Sequence, residues 1–186
     1  VTKAVTDLYS GLGQVMATGG DNLFASMSQQ YDVVKLGLTP EEYIKMNAAS
    51  RQTILAAGGV SKQMDILASQ SDSLRGHFAT MGEATQYTQG QMDALARAGI
   101  KPSIDSASLL TGSFKKLQAY TGMSGEQFNA LTAELATDQD IQEQLRAATS
   151  EERKQIMAST TARMAERVAL GMTTDQAKNV TKALAK

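Results

Sequence analysis

The feature that most constrains this chain is a short pattern that occurs three times. It reads Gly37-Leu38-Thr39-Pro40-Glu41-Glu42-Tyr43, then Gly122-Met123-Ser124-Gly125-Glu126-Gln127-Phe128, then Gly171-Met172-Thr173-Thr174-Asp175-Gln176-Ala177. A Gly placed after a helix takes the left-handed conformation that ends it. The Thr or Ser two residues on is the N-cap of the next helix. Three residues further, Glu42, Gln127 or Gln176 reaches back to the cap's backbone N–H and completes a capping box. The apolar residue before each cap is in register to pack on the fourth helical residue, which pairs Leu38 with Tyr43, Met123 with Phe128 and Met172 with Ala177. Thr149-Ser150-Glu151-Glu152 is a further box without the Gly, and Ala98-Gly99-Ile100 keeps the Gly without the box. The copies lie 85 and 49 residues apart, so this is no fixed-period solenoid.

Between the corners the pattern is helical. Ala, Leu and Met dominate the apolar residues and β-branched residues are sparse, which favours helix over strand. Apolar spacing and breakers predict helices over Thr2–Ala17, Asp21–Leu36, Pro40–Ala57, Ser61–Met81, Gln91–Ala98, Ile104–Tyr120, Gly125–Ala136, Asp138–Ala148, Ser150–Leu170 and Thr174–Ala185. No strand is expected, so the fold class is all-α. Phe24, Met27, Tyr31 and Val34 share one face of the second helix. Met64, Leu67, Ser71, Leu74, Phe78 and Met81 alternate at spacings of three and four, the signature of a packed or coiled-coil seam with one polar interruption. Gly82–Gly90, polar and rich in Thr and Gln, reads as a hinge. It divides the chain into an N-terminal helical part, 1–81, and a C-terminal helical part, 91–186. Both ends fit a helical pattern, at Val1, Val5, Leu8, Leu12 and Val15 and at Ala177, Val180 and Leu184, so a segment of a longer polypeptide is expected.

Composition removes most chemistry. There is no Cys and a single His, which excludes disulfides, thiolate catalysis and a multi-histidine metal site within one chain. Eighteen basic against nineteen acidic residues lack the basic surplus of a dedicated nucleic-acid binder. No apolar run is long enough to span a bilayer. Gly11-Leu12-Gly13-Gln14-Val15-Met16 starts like a dinucleotide fingerprint but has no third Gly and follows no strand. Asp138-Gln139-Asp140 starts like a calcium loop, yet Glu143 stands where the turn needs Gly and Thr149 where the last acid belongs, so capping acids are the reading. Glu41 and Glu42 belong to a first helical turn, where the macrodipole explains them. His77 is read as a surface or interface side chain. Lys178, Lys182 and Lys186 form a stripe, read as a solvated face complementing the helix C-terminus rather than a contact to DNA or a lipid head group. The ten Met residues are read as core filling. No catalytic, cofactor-binding or metal-binding residue is assigned.

The corners, set among short helices rich in Ala, Gln, Ser and Met, resemble the helical regions of phage tail tape measure proteins. The residues that carry the resemblance are Leu36–Tyr43, Ala56-Ala57-Gly58-Gly59-Val60-Ser61 and Ala169–Ala177. It implies a non-enzymatic virion protein in the lumen of the tail tube, which helps set tail length and leaves ahead of the DNA on ejection. The chain is far shorter than a whole tape measure and lacks the apolar membrane-inserting stretch that such proteins often carry, so a segment is implied. It also implies contacts with the tail tube and with tail-tip or hub proteins. A podovirus-type internal or ejection protein and a cellular helical adaptor module are the alternatives. A peptidoglycan-cleaving fragment would need a catalytic Glu beside an aromatic cleft, and the five Tyr and four Phe are scattered along the sequence.

Helices of this length are marginal alone. The Met64–Met81 seam, shared between copies in coiled-coil fashion, is therefore expected to make a homo-oligomer. A trimer is the choice the resemblance favours. The corners give the first testable outcome: replacing Thr39, Ser124 or Thr173 by Ala should cost about 0.5–2 kcal/mol in denaturant unfolding.

Overall fold

The computed structural model describes Val33 and residues 35–183. The helix expected over Thr2–Ala17, most of that over Asp21–Leu36, the Gly11–Met16 motif and Lys186 lie outside these residues. Among the described residues there are nine helices and no strand: α1 (Pro40–Ala49), α2 (Arg51–Ala57), α3 (Val60–Ser73), α4 (Met81–Arg97), α5 (Ile104–Thr121), α6 (Gly125–Thr137), α7 (Gln139–Ala147), α8 (Ser150–Ala169) and α9 (Thr174–Ala183). The fold is all-α.

The local chemistry of the corners is visible at each site. Thr39 accepts from the Glu42 backbone N–H at 3.2 Å while Glu42 accepts from the Thr39 N–H at 2.8 Å. Ser124 and Gln127 do the same at 3.2 and 3.0 Å, and Thr173 and Gln176 at 3.3 and 3.0 Å. Thr149 and Glu152 make a further box. Gly37, Gly122 and Gly171 have φ of 69°, 70° and 94°. The first two corners close further. Leu38 and Tyr43 are buried, as are Met123 and Phe128, whereas Met172 of the third corner stays exposed above a buried Ala177.

The segment 82–90 is not a hinge. It lies inside α4, which packs against α2, α3, α5 and α6. Its glycines are there for contact, not for bending. A Cβ on Gly82 would lie 2.7 Å from the Gly37 carbonyl oxygen, so the first corner and the start of α4 meet backbone to backbone. Gly90 makes room for the Asn129 side chain of α6. Three of its polar residues, Thr85, Thr88 and Gln89, are buried and hydrogen-bonded, while Glu83 and Gln86 face outward. Thr85 donates to the Leu36 carbonyl at 2.9 Å and meets Ser71 at 2.9 Å, and Gln89 accepts from Gln63 at 2.6 Å. A polar stretch that finds partners on every side makes an interior helix; the same stretch without partners makes a loop.

Two expected helices are broken. The stretch over Pro40–Ala57 divides at Ser50, whose Oγ donates to Asp93 of α4 at 2.9 Å. The stretch over Ser61–Met81 ends at Ser73. The chain then turns through Gly76, at φ 86°, and α4 starts at Met81. The Met64–Met81 positions therefore do not form one seam. Met64, Leu67 and Ser71 of α3, and Leu74 after it, are buried by helices of the same chain. Ser71, the polar interruption, is where α3 bonds to Thr85.

Two apolar clusters result. One gathers Leu74, Tyr87, Leu95, Leu110, Phe114, Phe128, Leu135, Met157 and Met164 among others. The other gathers Leu36, Leu38, Tyr43, Met64, Leu67, Met92 and Ala107 with their neighbours. Helix α4 supplies Tyr87 and Leu95 to the first and Met92 to the second, so the two parts that the sequence divides at 82–90 are joined there by one rigid element.

A pair of glycine substitutions tests this account. Gly82→Ala gains about 1 kcal/mol of helix propensity but forces a backbone–backbone clash of the overpacking kind, about 1–3 kcal/mol. Gly112, inside α5, has open space around its Cβ position. In denaturant unfolding Gly82→Ala should be destabilised and Gly112→Ala stabilised by about 0.5–1 kcal/mol.

Candidate functional site

The most chemically varied concavity is a cleft of about 600 Å³. Its walls are the turn before α4, the start of α4, the end of α5 and the start of α6. The turn supplies His77 and Phe78, α4 supplies Glu83, Gln86 and Tyr87, and α5 supplies Gln118. Ser124, Gly125, Glu126 and Asn129 close the α6 side.

The floor is aromatic. Phe78, Tyr87 and Phe114 have ring centroids 4.7–5.6 Å apart, and Phe128 sits 5.6 Å from Phe114. Phe114 and Phe128 are fully buried, Tyr87 nearly so, and Phe78 is half-buried. Burial without a hydrogen-bond partner pushes the Tyr87 phenol well above its ordinary pKa. Gly125 is required here, because a Cβ would meet the Phe78 ring at 2.5 Å and Tyr87 at 3.0 Å. The aromatics that look scattered along the sequence thus include four that meet in space. The spacing of Phe114 and Phe128 on their own helices indicates only that each faces a core, and Phe78 reaches it from a turn.

The rim is polar. His77 Nδ1 lies 2.7 Å from Gln118 Oε1, and Gln118 Nε2 donates to the His77 carbonyl at 3.2 Å. The carbonyl can only accept, so it fixes the amide with Oε1 toward the ring, and Nδ1 is the protonated nitrogen of neutral His77. Nε2 keeps its lone pair. Glu83 closes a capping box with Thr80 and also accepts from the Ala79 N–H at 3.0 Å. Asn129 donates to the Tyr87 carbonyl at 3.0 Å. Gln86 and Glu126 are exposed.

The other residues that the sequence singles out have structural partners. Glu42 is engaged in its cap, and the Thr39 backbone N–H lowers its pKa; Glu41 is lowered by Lys45, 2.8 Å away. Asp138 is the N-cap of α7, its Oδ1 accepting from the backbone of Asp140 and Ile141 at 3.1 and 3.3 Å. The two described lysines of the stripe, Lys178 and Lys182, do not make a solvated face. Lys178 pairs with Glu134 at 2.6 Å, and Lys182 pairs with Asp138 at 3.1 Å and with Asp140. These pairs tie α9 to α6 and α7. Among the described residues, no helix is long and apolar enough to cross a membrane, and no three His, Cys, Asp or Glu side chains converge as a metal cage.

Comparison with known proteins finds no family model, no curated protein and no solved structure that matches this chain.

The lysine clamp has a pH signature. The pKa of Lys178 is raised, first by its hydrogen bond to Glu134, and that of Lys182, first by its hydrogen bond to Asp140. A pKa raised on folding gives stability that is complete below the unfolded lysine value and lost as pH climbs through the folded one. Melting temperature should therefore fall between about pH 9 and pH 12, and Lys182→Met should lose part of that fall.

Proposed function

We propose that the chain is a segment of a phage tail tape measure protein, a non-enzymatic structural element of the tail lumen that helps set tail length and leaves with the DNA. The observation that supports this reading is the corner at 37–43, 122–128 and 171–177. In all three a left-handed Gly leads through one apolar residue into a two-way cap. The residues around the first and third corners are those that resemble the tape measure family. Such joints let a long chain run on as successive helices without floppy connections.

Copies would associate around the tube axis, as a trimer for preference, against the tube wall and the tail-tip or hub proteins. The surface for packing between subunits would not be the Met64–Met81 positions, of which Met64, Leu67, Ser71 and Leu74 are buried inside the chain. Exposed apolar side chains near the second and third corners suit it better: Tyr120 is 76% and Leu170 79% exposed, with Met172 and Val180 partly so. The closure of α3 within one chain favours a second reading, a helical adaptor module that works as a monomer.

Mass spectrometry and electron microscopy of purified phage particles carrying the gene test the proposal. Peptides of this chain should be found in tails and be missing from particles that have ejected. An in-frame internal duplication should lengthen the tail. Absence from the tail, or tails of unchanged length, would overturn it. Molar mass separates the two assemblies, since a monodisperse species of the chain's own 19.8 kDa would favour the adaptor.

A further inference from the structure

The cleft over Phe78 is not needed by a tape measure, and its chemistry selects a ligand class. Charge comes first. Glu83 and Glu126 line it, and no Lys or Arg does. An anion is therefore disfavoured. Both carboxylates also sit in first helical turns, Glu83 in α4 and Glu126 in α6. Each helix start carries about half a positive charge, so much of the negative field is already offset, and Glu83 is tied into its cap. That leaves little to hold a cation, and no three ligating side chains converge on a metal among the described residues. The fitting ligand is neutral.

Hydrogen bonding narrows it further. Gln118 holds His77 as the Nδ1–H tautomer, which leaves Nε2 as an acceptor. Glu126 is a second acceptor. Gln86 offers both an N–H donor and a carbonyl. Such a rim suits groups that donate and accept at once, as hydroxyls do. Beneath it, Phe114 and Tyr87 pack against Phe78, which is half-buried and lines both this cleft and a second hollow beside Arg75. Neutral, rich in hydroxyls and apolar on one ring face describes a sugar. The volume of about 600 Å³ lies within the range of small-ligand sites.

We propose that this cleft binds a pyranose unit of a neutral saccharide, its apolar face on Phe78 and its hydroxyls on His77 Nε2, Gln86 and Glu126. Two sources share this chemistry, polymers of N-acetylated amino sugars and polymers of plain hexoses. Chitotriose and maltotriose are the probes that distinguish them.

The test is a titration of the whole chain with each probe, followed by amide chemical shifts. Saturable shifts at Phe78, Gly125 and Glu126 are expected with one or both sugars at millimolar concentration. Saturation by chitotriose alone assigns an acetamido sugar, and saturation by maltotriose assigns a plain hexose. His77→Ala and Gln86→Ala should each weaken binding by roughly tenfold, the loss of one good hydrogen bond. Gln86 is exposed, so its variant keeps the test valid if His77→Ala unfolds. No shift at the cleft with either sugar, or unchanged affinity in Gln86→Ala and in a folded His77→Ala, would overturn the proposal.

Discussion

Helix α4 buries amides and hydroxyls at the centre of the molecule, and the arrangement around it depends on the partners that most of them find, the Tyr87 hydroxyl and the Gln91 carbonyl oxygen being the exceptions. An unpaired buried polar group costs about 1–3 kcal/mol, far more than a paired one returns. The neighbours are held to one geometry by this demand. Thr85 needs the Leu36 carbonyl and Ser71, which places the first corner and α3. Gln89 and Asp93 need Gln63, Thr53 and Ser50, which places α3, α2 and the break before α2. Gln91 needs Asn129, which places α6. Apolar packing would tolerate small slips of these helices; a directional network does not. Gly82 and Gly90 then allow the approach that the hydrogen bonds require.

What was legible in the sequence follows the range of the interactions. A capping box is decided within four residues, so Thr39, Ser124, Thr149 and Thr173 could be read directly. The helical class could be read from composition and spacing. Segment 82–90 could not, because Gly, Thr and Gln are loop residues unless something distant bonds to them, and here the partners come from Leu36 to Asn129. The same limit hid the break at Gly76. The 3-4 spacing from Met64 to Met81 persists in the sequence although the chain turns back midway, so positions that look like one face lie on two elements.

The candidate site shows this limit most strongly. His77 was visible as the single histidine, but its meaning comes from Gln118, 41 residues away. Phe78, Tyr87, Phe114 and Phe128 come from a turn and three helices, and no spacing rule links them. The lysines at 178 and 182 were visible as a stripe. Their acidic partners on α6 and α7 turn a surface charge pattern into a fastening.

The sharing of α4 and α5 between the two apolar clusters also bears on how this fold comes apart under load. A chain pulled from its C-terminal side gives up α9 first, since α9 buries only Ala177 and Thr181 and is fastened by exchangeable charges. Strain then passes to α8, which lies across α5 and α6. Two helices reach into both clusters, α4 through Tyr87 and Met92 and α5 through Phe114 and Ala107, so a displacement of either loosens both at once. The last helix is thus held by ion pairs and a thin buried strip, whereas α4 and α5 are each held by two apolar clusters at once.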